Sequence, residues 1–278
     1  MKKINIILTI SAALTCIGLS SCQKGFDPKS YAPPLSVNGF TASGQVAKAN
    51  LVAYWSFDGN LIDSVSGAAG TNVGTTFSKG IKGQALQGAL NSYVLNTPSS
   101  AVVGLQSYTI SFWVNTPPPS TGIICPFALS NTTGFWGNLE MFFENGSSNT
   151  NGVIKLHIQQ GDHDNFFVTQ GIQNLFGKFV AITLSYDAAS GNNSLYVNGS
   201  KVSTAVLGGI TGPMSFPNVG QLVFGCDQFQ TNPSLTSATQ YPGFASFLTG
   251  QLDEVRIYNK ALSDLEVSSI VNLQGRGK

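Results

Sequence analysis

The chain has 278 residues, with 14 Lys and Arg against 13 Asp and Glu, and only 10% of it is charged, well below the quarter or so usual in soluble domains. With a formal net charge of +1 and no basic patch, the chain lacks the electrostatic footprint of a nucleic-acid binder. The length suits one all-β domain with a leader and supplies ample apolar surface for a core. In chain order, Lys2 and Lys3 precede an apolar run over 4–19 that contains Cys16. This is the basic n-region and apolar h-region of a signal peptide, too short for a spanning helix of about 20 residues. Its removal takes two Lys and no acid, so the net charge becomes −1.

The run stops at Leu19-Ser20-Ser21-Cys22, which resembles a lipobox. The resemblance implies cleavage after residue 21, lipidation of Cys22, and a protein held in the cell envelope by its lipid anchor alone. Acyl chains contribute about 0.8 kcal/mol per buried CH₂. Gln23 after the cysteine implies the outer membrane if the cell is Gram-negative. No later apolar run is long enough to span a bilayer. Residues 22–49 carry Pro33-Pro34 and no strong periodicity, which predicts a flexible tether. Residues 50–275 are the predicted folded domain.

Leu51 to Phe57 is a predicted first strand, followed by the turn Asp58-Gly59-Asn60. Further strands are predicted at Lys82–Leu86, Tyr93–Leu95, Tyr108–Asn115, Ile123–Leu129, Leu139–Glu144, Val153–Gln159, Phe179–Asp187, Ser194–Val197 and Leu222–Gly225. In the strand from Tyr108, Ile110, Phe112 and Val114 share one face, and Ser111 and Trp113 the other. Asn198-Gly199 is a strong hairpin turn. In the closing strand from Gly250, Asp253, Val255 and Ile257 alternate with Leu252, Glu254, Arg256 and Tyr258. Ser263 and Glu266 then form a capping box that opens a short helix. Many short alternating strands with turns between them predict an all-β, two-sheet antiparallel sandwich.

Five segments in this order resemble the laminin G-like, concanavalin A-like lectin/glucanase domains of bacterial lipoproteins. They are Y-W-x-F-D-G-N-L-x-D from Tyr54, Lys82–Leu86, Tyr108–Val114, Phe179–Asp187 with Leu195–Gly199, and the closing strand with its helix. Lys178-Phe179 replaces the family's usual Trp and His there. The resemblance implies a jelly-roll sandwich and a non-catalytic, surface-anchored carbohydrate-binding or adhesion protein facing a glycan or surface polysaccharide. It also implies Ca²⁺ between the opening and closing strands, with Asp58, Asn60 and Asp253 as its ligands; the alternative for Asp253 is bonding to backbone N–H groups.

Glu140 and Glu144 fall on one strand face with Phe142 between them. The pattern resembles the E-x-D-x-E strand of laminarinase-like glycoside hydrolases, with Phe142 where the central Asp stands. Retaining chemistry needs carboxyls about 5–5.5 Å apart, whereas Cα atoms four apart in a strand are separated by about 13 Å. The readings are a hydrolase or lyase using this pair, or two solvated glutamates. Phe142, His157 and Trp113 each point away from the apolar face of their strand, and with Trp136 and His163 they form the candidate ligand-binding set. Trp113 buried under a loop is the alternative for that residue. Gly161 to Phe167 reads as a polar hairpin turn or, through Asp162 and Asp164, a cation loop. Asp63-Ser64-Val65 matches a short O-glycosylation acceptor pattern. Cys125 and Cys226 are either paired or two buried thiols. Metalloprotease, nucleophile-elbow and phosphate-loop motifs are absent. A protein–protein module in an envelope complex is the third functional reading.

Overall fold

The computed structural model describes residues 36–238 and 243–278; the predicted signal peptide and Cys22 lie outside the described residues. The first strands are β1 (Leu51–Trp55), β2 (Thr71–Val73), β3 (Thr76–Lys79), β4 (Gln84–Gln87), β5 (Tyr93–Asn96), β6 (Tyr108–Asn115), β7 (Ile123–Asn131) and β8 (Leu139–Phe143). Then come β9 (Gly152–Gln160), β10 (His163–Ile172), β11 (Val180–Asp187), β12 (Asn192–Val197), β13 (Ser200–Val206), β14 (Val219–Phe224), β15 (Ala245–Ser246) and β16 (Gln251–Tyr258). One helical turn, α1 (Ser100–Val103), follows β5, and α2 (Asp264–Gln274) follows β16. The fold is all-β, two facing sheets in a concanavalin A-like jelly roll. The first sheet runs β13-β12-β11-β6-β16-β4-β3, with β1 also on β16. The second runs β10-β9-β8-β7-β14-β5-β2, with the short β15 beside β7.

The period of two places the core. Ile110, Phe112 and Val114 of β6 meet Leu139, Met141 and Phe143 of β8 and Leu156 and Ile158 of β9 in one buried apolar cluster between the sheets. Trp55 and Phe57 pack edge-on against Phe224, with centroids at 5.0 and 5.5 Å.

The closing strand departs from simple alternation. Its register with β6 shifts between Asp253 and Arg256, and Glu254 has a φ of 53°. This one-residue bulge puts Leu252, Val255 and Ile257 into the core together. Asp253, predicted to share a face with Val255 and Ile257, lies outside that cluster, and Leu252, predicted on the opposite face, lies in it. Two polar neighbours, Glu254 and Arg256, are then sealed on the outer side of the sheet. Arg256 Nη2 donates to Glu254 Oε2 at 2.9 Å and to Ser43 Oγ at 3.0 Å. Tyr54 OH donates to Glu254 Oε1 at 2.6 Å, and Gln274 Nε2 to Oε2 at 2.9 Å. Trp113 Nε1 donates to Gln274 Oε1 at 2.9 Å. This network ties β1, β6 and β16 to α2.

Two corrections follow. Residues 36–49, read as tether, are packed: Val46 is buried, and Val37, Phe40 and Ala47 lean on the cluster of Val267, Ile270 and Leu273 of α2. In Gly161 to Phe167 the predicted hairpin turn is confined to Gly161 and Asp162, and the rest is strand, β10 pairing with β9 from His163↔Gln160 onward.

Removing one partner of a buried ion pair strands the other charge and typically costs about 3–5 kcal/mol. Arg256→Ala is therefore expected to lower the unfolding free energy by about that amount, measured by urea denaturation.

Candidate functional site

The outer face of the first sheet is closed by the chain's own α2 and N-terminal segment. On the second sheet, part of the outer face opens into a pocket of about 530 Å³. Phe142 forms part of its lining, with Trp136, Phe166 and Phe244; Ile123 and Val168 complete the apolar wall. Glu144, Asn145 and Lys155 supply its polar atoms, and Lys155 forms an ion pair with Glu144. Phe142 lies nearly parallel to Trp136 at 5.3 Å, and Phe166 meets Trp136 edge-on at 5.7 Å.

Trp136 is held there by the loop between β7 and β8. Asn131 Oδ1 accepts from the N–H groups of Thr133 and Gly134, which turns the chain. Gln228 Nε2 donates to the carbonyls of Gly134 and Phe135, and its Oε1 accepts from Asn131 N. Gly137 follows Trp136; a Cβ there would sit 2.8 Å from the Leu129 carbonyl, so the close approach requires glycine. The Gly137 N–H donates to Glu140 Oε2 at 2.7 Å, and its carbonyl lies 2.7 Å from His157 Nδ1. A carbonyl only accepts, so Nδ1 carries a proton.

These contacts relocate several predicted site residues. Glu140 is fully buried and receives the Gly137 and Gln228 N–H groups. It does not line the pocket, whereas Glu144 does, so the proposed catalytic pair does not face one substrate. Burial pushes the Glu140 carboxyl up, opposed by those two N–H groups. Asp227, nearby, is raised by burial and by Glu140's charge. His157 does point away from the core, as its alternation predicts, but it is buried at 1% exposure beneath Trp136 and Phe166, with ring centroids at 6.1 and 5.0 Å. Trp113 lies on the other sheet, packed with Val271 under α2, and shares no groove with Glu140 and His157. His163 is exposed at the start of β10 against Gly209 and does not line the pocket. Gln228, Phe166 and Phe244 were not singled out in the sequence: Gln228 and Phe244 come from segments without periodicity, and Phe166 lies in β10, in a stretch read as a turn.

Asp58 Oδ1 accepts from Gln84 N, Asn60 Oδ1 from Ile62 N, and Asp253 Oδ2 from Ile81 and Lys82 N. Asp58 and Asp253 thus brace the turn between β3 and β4, and Asp253 Oδ1 is left buried without a partner. Asp63, within the Asp63-Ser64-Val65 pattern, accepts from Tyr54, Val65 and Ser66 and holds a turn. Cys125 and Cys226 are free and buried.

The chain belongs to the Concanavalin A-like lectin/glucanases superfamily: the laminin G-type profile of that family matches residues 87–268. No curated protein matches the chain. Among solved structures, the binding domain of a paraclostridial mosquitocidal protein aligns at 16% identity and TM-score 0.59, covering 81% of this chain and 52% of that one. A structure of botulinum neurotoxin type C, whose cell entry is dependent upon interaction with two ganglioside molecules, aligns at 14% identity and TM-score 0.60, covering 84% of this chain and 53% of that one. Domain 4 of an extracellular arabinanase from Geobacillus stearothermophilus, in complex with arabinotriose, aligns at 18% identity and TM-score 0.53, covering 80% and 98%. The chain spans about half the length of the toxin structures it matches. At these identities the likeness establishes the fold.

Burial lowers His157 below the ordinary histidine range, opposed by the Asp164 carboxylate 3.2 Å from Nε2 and by the Gly137 carbonyl. Asp164 and, opposite in register, Glu140 are the charged groups facing it. The native ring binds fewer protons than the unfolded one, so its contribution to stability is full above about pH 6.5 and declines as pH falls below that. Glu140 and Asp253, both raised to about 7, act in the opposite sense over the same window, so the expected outcome is a difference: between pH 7.5 and 5.5 the urea midpoint of the wild type moves downward relative to that of His157→Gln.

Proposed function

We propose that this protein is a non-catalytic, glycan-binding envelope lipoprotein whose ligand enters the pocket walled by Trp136. The observation that carries the reading is the pocket itself, with aromatic side chains forming most of the wall and Glu144, Asn145 and Lys155 at one side. Sugar rings present apolar C–H faces that suit aromatic surface, while their hydroxyls seek charged and amide partners. Pockets with mostly apolar walls and a few placed polar groups are the usual form of small-molecule sites. The arabinotriose complex and the ganglioside-dependent toxin support a glycan by analogy of fold, which is a weaker warrant than the site.

The non-catalytic part of the proposal rests on Glu140, which is sealed from solvent and engaged by two backbone N–H groups. Anchoring through Cys22 at the outer membrane is part of this reading and is supported by the lipobox alone; intact-mass analysis of the mature protein tests it. Ca²⁺ at the turn between β3 and β4 is a further part of the proposal, supported by the unpartnered Asp253 Oδ1. A rise in melting temperature with Ca²⁺ that Asp253→Asn removes is the supporting result.

A glycan array followed by calorimetry tests the ligand class. Trp136→Ala is expected to weaken binding of an array hit by roughly tenfold or more, and Lys155→Ala to weaken it by less. Binding to a membrane protein in place of any glycan favours the interaction-module reading.

A further inference from the structure

Behind the pocket wall, three acidic side chains from separate parts of the sequence converge. Cys125 comes from β7, Glu140 from β8, and Asp227 from the loop after β14. One ligand atom of each, the Cys125 Sγ and a carboxylate oxygen of Glu140 and of Asp227, lies within 4.8 Å of the other two, and all three residues are buried. Both Asp227 carboxylate oxygens are enclosed and receive no hydrogen bond from any group outside this cluster, and the residue is 0% exposed. Among the described residues, no Lys, Arg or His forms an ion pair with Glu140 or Asp227. A buried carboxylate without a donor or a cation is costly; such a group either holds a proton or coordinates a metal, and the adjacent thiol supplies the third ligand that a metal needs and a shared proton does not.

We propose that Cys125, Glu140 and Asp227 form a buried site for a borderline-soft divalent cation, Zn²⁺ being the best match. The donor set selects the ion. A thiolate disfavours Mg²⁺ and Ca²⁺, while sulfur with carboxylate oxygen suits Zn²⁺ and its spectroscopic stand-in Co²⁺. Zn–S bonds of about 2.3 Å and Zn–O bonds of about 2.0–2.2 Å set ligand-atom separations of roughly 3.4–3.7 Å for a tetrahedral ion, which falls inside the 4.8 Å span of the three atoms. Cys125 must also release its contact with the Phe127 carbonyl, now 3.3 Å away. Three protein ligands leave a fourth position for water.

The ion's role here is structural. It ties β7 and β8 to the segment carrying Gln228 and Phe229, and these two hold the pocket loop. Gln228 bonds the Gly134 and Phe135 carbonyls, and Phe229 stacks on Phe135 at 4.9 Å. The site is independent of which ligand the pocket takes.

The test uses the purified full chain, assayed for metal by mass spectrometry and then unfolded, stripped with EDTA and refolded with Zn²⁺ or Co²⁺. The expected results are about one Zn²⁺ per chain, a melting temperature about 5 °C higher with metal, and a thiolate-to-cobalt charge-transfer band in the near ultraviolet. Cys125→Ser should lose that band, Asp227→Asn should weaken Co²⁺ retention, and Cys226→Ser should keep the band. Wild-type protein that refolds without metal, shows no band and no shift in melting temperature overturns the proposal. So does a band that survives Cys125→Ser. The wild-type measurements decide the matter even if a variant fails to fold.

Discussion

One residue, Gly137, carries the pocket loop through the two peptide units that flank it. The N–H of Gly137 is held by Glu140 and its carbonyl by His157, and the residue before it is Trp136. Both partners are buried, so neither can turn to water as a substitute. A hydrogen bond to a charged group contributes about 1.5–3 kcal/mol, and a buried polar group left unpaired costs about 1–3 kcal/mol. The loop between β7 and β8 therefore has one well-determined path, and the indole it presents is fixed rather than adaptable. Glu140 and His157 act through that loop as positioning residues.

The two sheets treat their outer faces differently, and this asymmetry decides where a ligand fits. On the first sheet, α2 and residues 36–50 cover the network of Glu254, Arg256, Tyr54 and Trp113. That face is occupied by the chain itself. On the second sheet, loops cover Glu140 and His157 and bring Trp136 onto Phe142, but they stop short of Glu144, Lys155 and Phe166, which line the open pocket. The bulge at Glu254 belongs to the same division. It turns two charged neighbours outward into a sealed network while keeping Leu252, Val255 and Ile257 in the core.

The sandwich was legible because alternation is a local property. The core faces of β6, β8 and β9 follow from spacing two, and the capping box of Ser263 and Glu266 forms as its residues predict. Where the reading failed, non-local packing or a single backbone irregularity decided the outcome. Spacing places Trp113 and Glu140 each on an outward face, but only topology places β6 and β8 in different sheets. Likewise, outward does not mean exposed: His157 has the alternation of a surface residue and the burial of a core residue, since loops distant in sequence fold over it. The bulge in β16 has no compositional sign, as Glu254 is not a glycine or asparagine, so simple alternation put Asp253 on the wrong face. Gln228 and Phe229 lie in a region without periodicity, and nothing in the sequence marks them as supports of Trp136.

The most direct measurement of the central claim follows the three indole N–H resonances of ¹⁵N-labelled protein during titration with an oligosaccharide selected by array. Trp55 is enclosed in the core and Trp113 lies under α2, so both serve as internal references. The account predicts that the Trp136 resonance shifts to saturation while the other two stay in place. A bound oligosaccharide that leaves Trp136 unmoved, or that moves Trp113 instead, contradicts it.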